Sequence, residues 1–145
     1  MTMQQQQQGA ARILVVDDEA HIVQVVALKF RNAGLEVETA GDGDEALAML
    51  ERAHAEGAPF QLVVTDLQMP AMSGIELARA MAARPALACI PVLMLTARGH
   101  LLREGEADSS NIARVVHKPF SPRGLLAEVL ELLHQPGSDA ERKAA

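Results

Sequence analysis

Tryptophan and tyrosine are absent from this 145-residue chain, and phenylalanine occurs only as Phe30, Phe60 and Phe120. A single-strand nucleic-acid binder uses aromatic rings as stacking platforms, and this chain has almost none to offer. Positive charge is also scarce: 13 Lys and Arg against 19 Asp and Glu leave a net charge of −6, and no basic run is present. Such a surface releases no counterions from a phosphate backbone, so direct nucleic-acid binding is not expected. With one cysteine, Cys89, no internal disulfide can form. A cytoplasmic location follows as the default expectation. Cys89 has no neighbouring acid or histidine in sequence, so a buried structural thiol is expected rather than a nucleophile. No apolar run reaches 18 residues and no basic-then-apolar leader opens the chain, so neither membrane insertion nor export is expected.

What is present is an alternation of two periodicities. Residues 1–11 carry the run Gln4–Gln8 and cannot build a core, so they read as a disordered tail. Residues 136–145 turn polar after Pro136 and read the same way, leaving one domain over 12–135. "RILVVDD" is a continuous apolar strand ending in acids. "EAHIVQVVALKFRNAG" is helical, with Ile22, Val25, Val26, Leu28 and Phe30 as its apolar face and Gly34 at its C-terminal end. "LEVETA" alternates as a strand. Asp42 is placed to cap "GDEALAMLERAHA". "FQLVVTD" is a third strand, and "SGIELARAMAA" opens with Ser73 and Glu76 at capping-box spacing. "IPVLMLTA" and "RVVHK" are strands, and "SPRGLLAEVLELLHQ" begins with Ser121 as N-cap and Pro122 at the first helical position. The segment "GHLLREGEADSSNIA" has the place of a helix but little apolar periodicity. Five strands alternating with helices predict a parallel sheet covered on both faces, with its ligand crevice beyond the carboxyl ends of the strands.

Those ends carry the chemistry. Asp17 and Asp18 follow the first strand, Asp66 closes the third, Thr96 ends the fourth and Lys118 follows the fifth. Three carboxylates brought together repel, and a divalent cation removes that penalty. Oxygen-only ligands suit Mg²⁺ better than zinc. With an ammonium and a hydroxyl added, the set resembles the clamp around a transferring phosphoryl group, for which a carboxylate is a competent nucleophile. The five histidines show no metal-ligand spacing. Capping alone is the plainer use of Asp17 and Asp18, and a solvated loop lysine the plainer use of Lys118, but neither explains why all these residues converge.

Four stretches, "LVVDDE", "LVVTDLQMPAMSGIEL", "PVLMLTA" and "HKPFSP", in this order and spacing, resemble the receiver domain of bacterial two-component response regulators. The resemblance covers the whole folded part. It implies a flavodoxin-like doubly wound (βα)5 fold with strand order 2-1-3-4-5. It implies Asp66 as phosphoacceptor and Asp17 and Asp18 as Mg²⁺ ligands, with the backbone carbonyl of Gln68 as a further ligand. Thr96 matches the switch hydroxyl, Lys118 the lysine that pairs with the phosphoryl group, and Ala97 a small neighbour of it. Gln68 and Arg98 match positions that tune phosphoryl lifetime. Lys118–Pro119 is expected to be cis. The implied partners are a sensor histidine kinase or a histidine phosphotransfer protein and an output partner of unspecified identity. The resemblance further implies a phosphoacceptor that promotes its own phosphorylation and autodephosphorylation, rather than an enzyme with a separate substrate.

One position departs from the pattern. Val115 stands three residues before the lysine, where receivers carry Tyr or Phe as the partner of the switch Thr. This favours an alternative, a receiver-fold interaction module that signals independently of phosphorylation, while the intact acids, Thr and Lys oppose it. A phosphatase resembling the haloacid dehalogenases is a third reading, opposed by Gln68 where those enzymes carry a second acid. With about ten residues left after Gln135, the expectation is a single-domain regulator that works by partner binding or phosphorelay.

Overall fold

The computed structural model describes residues 10–97 and 111–134. The elements are β1 (Arg12–Val16), α1 (Ala20–Asn32), β2 (Glu36–Ala40), α2 (Gly43–Ala55), β3 (Leu62–Asp66), α3 (Gly74–Ala82), β4 (Val92–Thr96), β5 (Ile112–His117) and α4 (Pro122–Leu133). The strands form one parallel sheet in the order β2-β1-β3-β4-β5, the order the family resemblance implies. Four of the five expected helices are described. The glutamine run, Arg98, most of the segment between β4 and β5, and the tail after His134 lie outside the described residues. β5 begins at Ile112, two residues before the expected "RVVHK". Pairing at the other end starts before β1, where the Ala11 carbonyl accepts from the Glu36 N–H at 2.8 Å.

The inner strands β1, β3 and β4 bury both faces and read as continuous apolar runs, whereas the edge strands β2 and β5 are partly exposed. Alternation sends Leu14, Val16, Val63, Val92 and Met94 to a core shared with Ala46 and Leu50 of α2 and Leu77 and Met81 of α3. The intervening Ile13, Val15, Leu62, Val64, Leu93 and Leu95 meet Val23, Val26 and Phe30 of α1 and Leu125 and Val129 of α4. The helices start where the sequence places them. Asp42 accepts from the Glu45 N–H at 2.8 Å, Ser73 and Glu76 complete a reciprocal capping box, and Ser121 accepts from the Gly124 N–H at 2.9 Å. Gly34 follows α1 at φ 95°, a conformation that favours glycine.

Two expectations need correction. The buried face of α1 is Val23, Val26, Ala27 and Phe30, while Val25 is 52 % and Leu28 59 % exposed. The packed set follows the i, i+3, i+4, i+7 rule from Val23, whereas the sequence reading started the stripe one residue early and so took in solvent-facing residues. Cys89 is exposed rather than buried. It lies in the turn-rich stretch between α3 and β4, ahead of the residues that enter the sheet.

The entry to α3 is the tightest junction near the strand ends. A Cβ at Gly74 would lie 2.4 Å from the Asp66 carbonyl oxygen and 3.1 Å from Leu67 Cα, both backbone atoms with nowhere to go. Helix propensity alone favours alanine here by about 1 kcal/mol, but the clash dominates. We expect Gly74→Ala to destabilise the fold by about 2–3 kcal/mol in denaturant unfolding; an unchanged midpoint would contradict this packing.

Candidate functional site

Each polar residue is delivered by the backbone that ends its strand. The Asp17 N–H donates to Ala40 O at 3.1 Å, extending the β1–β2 ladder by one residue. Asp66 is the last residue of β3, and the following Leu67 N–H donates to Leu95 O at 2.7 Å. Lys118 is fixed one step past β5 by its N–H bond to Thr96 O at 2.7 Å. The Lys118–Pro119 bond is cis. By strand alternation Asp17, Asp66 and Lys118 share the parity of the α1/α4 face, and Thr96 and Val115 share the other. The structure therefore brings Asp17, Asp18, Asp66, Thr96 and Lys118 to the carboxyl edge around β1 and β3, where the strand order reverses.

Lys118 Nζ lies 2.9 Å from Asp66 Oδ1 and 3.8 Å from Asp17 Oδ2. The first is a charge-assisted hydrogen bond; the second is too long for one. Asp17 and Asp66 are both buried and Asp18 is exposed. The three carboxylates each offer an oxygen within 4.8 Å of the others. Asp17 Oδ1 accepts from the Glu19 N–H at 3.0 Å, whereas Asp17 Oδ2 and Thr96 Oγ1 are buried without a hydrogen-bond partner. An orphaned carboxylate oxygen beside two more carboxylates fits a hard divalent cation, which supplies the missing positive charge.

Burial raises the Asp17 pKa to about 6, reinforced by the charge of Asp66 and opposed by the Glu19 N–H and Lys118. Burial also raises Asp66, against the pull of its Lys118 hydrogen bond. For Lys118, burial acts downward, but the hydrogen bond and charge of Asp66, with Asp17 and Glu19 behind it, lift the ammonium above its ordinary value.

Residues 13–130 match the family model for the response regulator receiver domain. The chain belongs to this family. Among relatives, this receiver is 33% identical over 129 residues to the transcriptional regulatory protein ResD of Bacillus subtilis, covering 89% of this chain and 50% of that one. It is 32% identical over 133 residues to the sensory transduction protein RegX3 of Mycolicibacterium smegmatis, covering 92% and 54%. The chain thus spans about half the length of these curated relatives. Among solved structures, the chemotaxis protein CheY4 of Vibrio cholerae superposes with a TM-score of 0.74 at 35% identity, covering 85% of this receiver and 98% of that chain. A CheY-like receiver domain protein from Methanospirillum hungatei gives 0.76 at 29% identity, covering 90% and 99%. Residues 13–130 form a receiver domain of two-component signalling with a parallel 2-1-3-4-5 sheet.

Of the remaining sequence-read residues, Gln68 is exposed at the start of the loop after β3, Ala97 is half-buried, and Val115 is half-buried and packs against the α2/α3 core. Arg98 lies outside the described residues. Asp18, read as a possible helix cap, does not cap α1: Glu19 holds that position without a side-chain bond, and Asp17 takes the nearby N–H. Sequence reasoning missed Thr65, whose buried hydroxyl bonds the Asp66 carbonyl. The one signal available was a Thr in an otherwise apolar strand.

The raised Asp17 pKa sets a pH dependence. The folded metal-free protein holds this proton more tightly than the unfolded chain, so the stability it contributes is present below about pH 4 and lost as pH rises through about 6. We expect Asp17→Asn to melt like wild type near pH 4 and to be more stable by about 2 kcal/mol at pH 7.5 in chelator. A pH-independent difference between the two would contradict this.

Proposed function

We propose that Asp66 accepts a phosphoryl group from a sensor histidine kinase or a histidine phosphotransfer protein, in a Mg²⁺-dependent reaction. The observation that carries the reading is the 2.9 Å Lys118–Asp66 bond inside a cluster with Asp17 and Asp18 at cation-sharing separation. Bound Mg²⁺ would supply charge neutralisation for the incoming phosphate oxygens, held by Asp17, Asp18, Asp66 and the Gln68 carbonyl. Lys118 occupies Asp66 Oδ1, which leaves Oδ2 to attack phosphorus. The P–N bond of the donor phosphohistidine breaks, its electron pair returns to the imidazole, and Asp66 becomes an acyl phosphate. The Lys118 ammonium then serves a phosphoryl oxygen, and the unpartnered Thr96 hydroxyl has a donor to give to another. Ala97, small and adjacent, leaves room for those oxygens.

The donor is a protein that must bring its histidine to this edge. An apolar groove of about 440 Å³ runs beside Lys118, lined by Ile22, Val25, Ala97, Phe120 and Pro122. The exposure of Val25, unhelpful to the core, supports this groove as the docking face. The acidic balance of the chain favours protein partners over nucleic acid. Val115 favours a second reading of the output, though not of the input. A half-buried aliphatic chain has no ring to swing inward with Thr96, so partner binding follows the acceptor loop and the Thr96 hydroxyl rather than an aromatic rotamer.

Incubation with acetyl phosphate, read by intact mass, tests the acceptor. We expect one phosphoryl adduct on wild type that requires Mg²⁺ and is absent from Asp66→Asn. That variant is near-isosteric and should stay folded, and a persisting adduct on it would refute the assignment.

A further inference from the structure

Thr65 is fully buried, in a strand whose other residues before the acceptor are Leu62, Val63 and Val64. By period two its side chain leaves β3 on the face opposite Asp66, between Val63 and Leu67 in the α2/α3 core. A hydroxyl in that setting costs stability unless it is hydrogen-bonded, and valine would fill the same space without the cost. The hydroxyl has a specific use. Oγ1 donates to the Asp66 carbonyl at 3.0 Å, and Met69 Sδ, a weak acceptor, lies 3.9 Å away. These two contacts straddle Leu67 and Gln68.

The Asp66 carbonyl is already confined on another side, by the close approach of α3 at Gly74. Beyond it, the Leu67 N–H is held by Leu95 O at 2.7 Å and the Leu67 carbonyl by the Gly74 N–H at 2.8 Å. The Thr65 hydroxyl therefore completes the fixation of the peptide plane that leads from the acceptor into the loop. We propose that Thr65 is a positioning residue: by bonding the Asp66 carbonyl and contacting Met69, it fixes the backbone on both sides of Gln68, whose carbonyl would be a ligand of the cation. The inference rests on the reading of Asp66, Asp17 and Asp18 as a Mg²⁺ site. Thr65 touches neither the cation nor the phosphoryl group; it acts through the backbone.

The test compares wild type, Thr65→Val, Thr65→Ala and Thr65→Ser in two readouts: thermal melting in chelator, and calorimetric titration with MgCl₂. One neutral hydrogen bond that orients a ligand corresponds to about a 3- to 10-fold change in affinity. We expect Thr65→Val to melt at or above wild type yet bind Mg²⁺ about 3- to 10-fold more weakly. Thr65→Ser, which restores the donor, should bind within about twofold of wild type. If valine proves unfolded, the alanine variant carries the same comparison without the added methyl group. A hydroxyl that serves only the core would give the reverse pattern, with lower melting and unchanged affinity, and would overturn the inference. Equal weakening in the serine variant would overturn it too. A wild type that binds no Mg²⁺ would instead remove the site reading and this inference with it, whereas normal binding by wild type and Thr65→Val alike would remove this inference alone.

Discussion

The hydrogen bond between Lys118 and Asp66 is the contact on which the rest of the site depends. One ammonium stands 2.9 Å from a buried carboxylate and 3.8 Å from a second, with a third close by at the surface. Three acids against one lysine are underneutralised, and burial makes the deficit costly. That cost shows as the raised Asp17 and Asp66 pKa values and as the orphaned oxygen of Asp17. A site in this condition gains from any ligand that brings positive charge. Under the proposed function, the cost of the metal-free state and the need for a cation would have one origin.

The sheet makes such a site affordable. Asp17, Asp66, Thr96 and Lys118 sit at or just past the ends of parallel strands, so their backbones are fixed by ladder bonds while their side chains meet in one crevice. The loop after Asp66 is pinned by contacts that leave little slack. Leu67 bonds both to β4 and to the start of α3, Gly74 admits the Asp66 carbonyl at a distance no Cβ would permit, and Met72 packs where a Cβ on Gly43 would have to go. Ala71, at φ 69°, holds the left-handed conformation in the middle of that loop, a strained state for alanine spanned by the Met72 N–H bond to Pro70 O at 2.7 Å.

Much of this was legible in the residues, and the reasons differ by element. Period and caps are local, so Asp42, Ser73 with Glu76, and Ser121 marked helix starts that the structure keeps. The strand ends were legible because Asp17, Asp66, Thr96 and Lys118 each close or follow a strand-length segment rich in apolar residues, and the family's motifs fixed their order. The α1 face was misread because Val25 and Leu28 are apolar without being buried, and composition alone cannot separate a core stripe from a docking face. Cys89 was misplaced because burial of a thiol depends on the path of the turn before β4, which no local pattern specifies. Thr65 was missed for a related reason: its role is a bond to the next carbonyl, invisible until the strand's facing and the loop's course are known.

Three carboxylates against one ammonium leave the cluster short of positive charge, a deficit that a divalent cation would fill. The most direct measurement is the Mg²⁺-induced change in melting temperature at pH 7.5 for wild type and Asp17→Asn. At a Mg²⁺ concentration about 100 times the wild-type Kd, binding is worth about 2.7 kcal/mol, or about 5–10 °C for a domain of this size. Wild type is expected to gain this and the variant little, because the carboxylate with the orphaned oxygen has been removed. Equal gains in both proteins, or none in wild type, would contradict it.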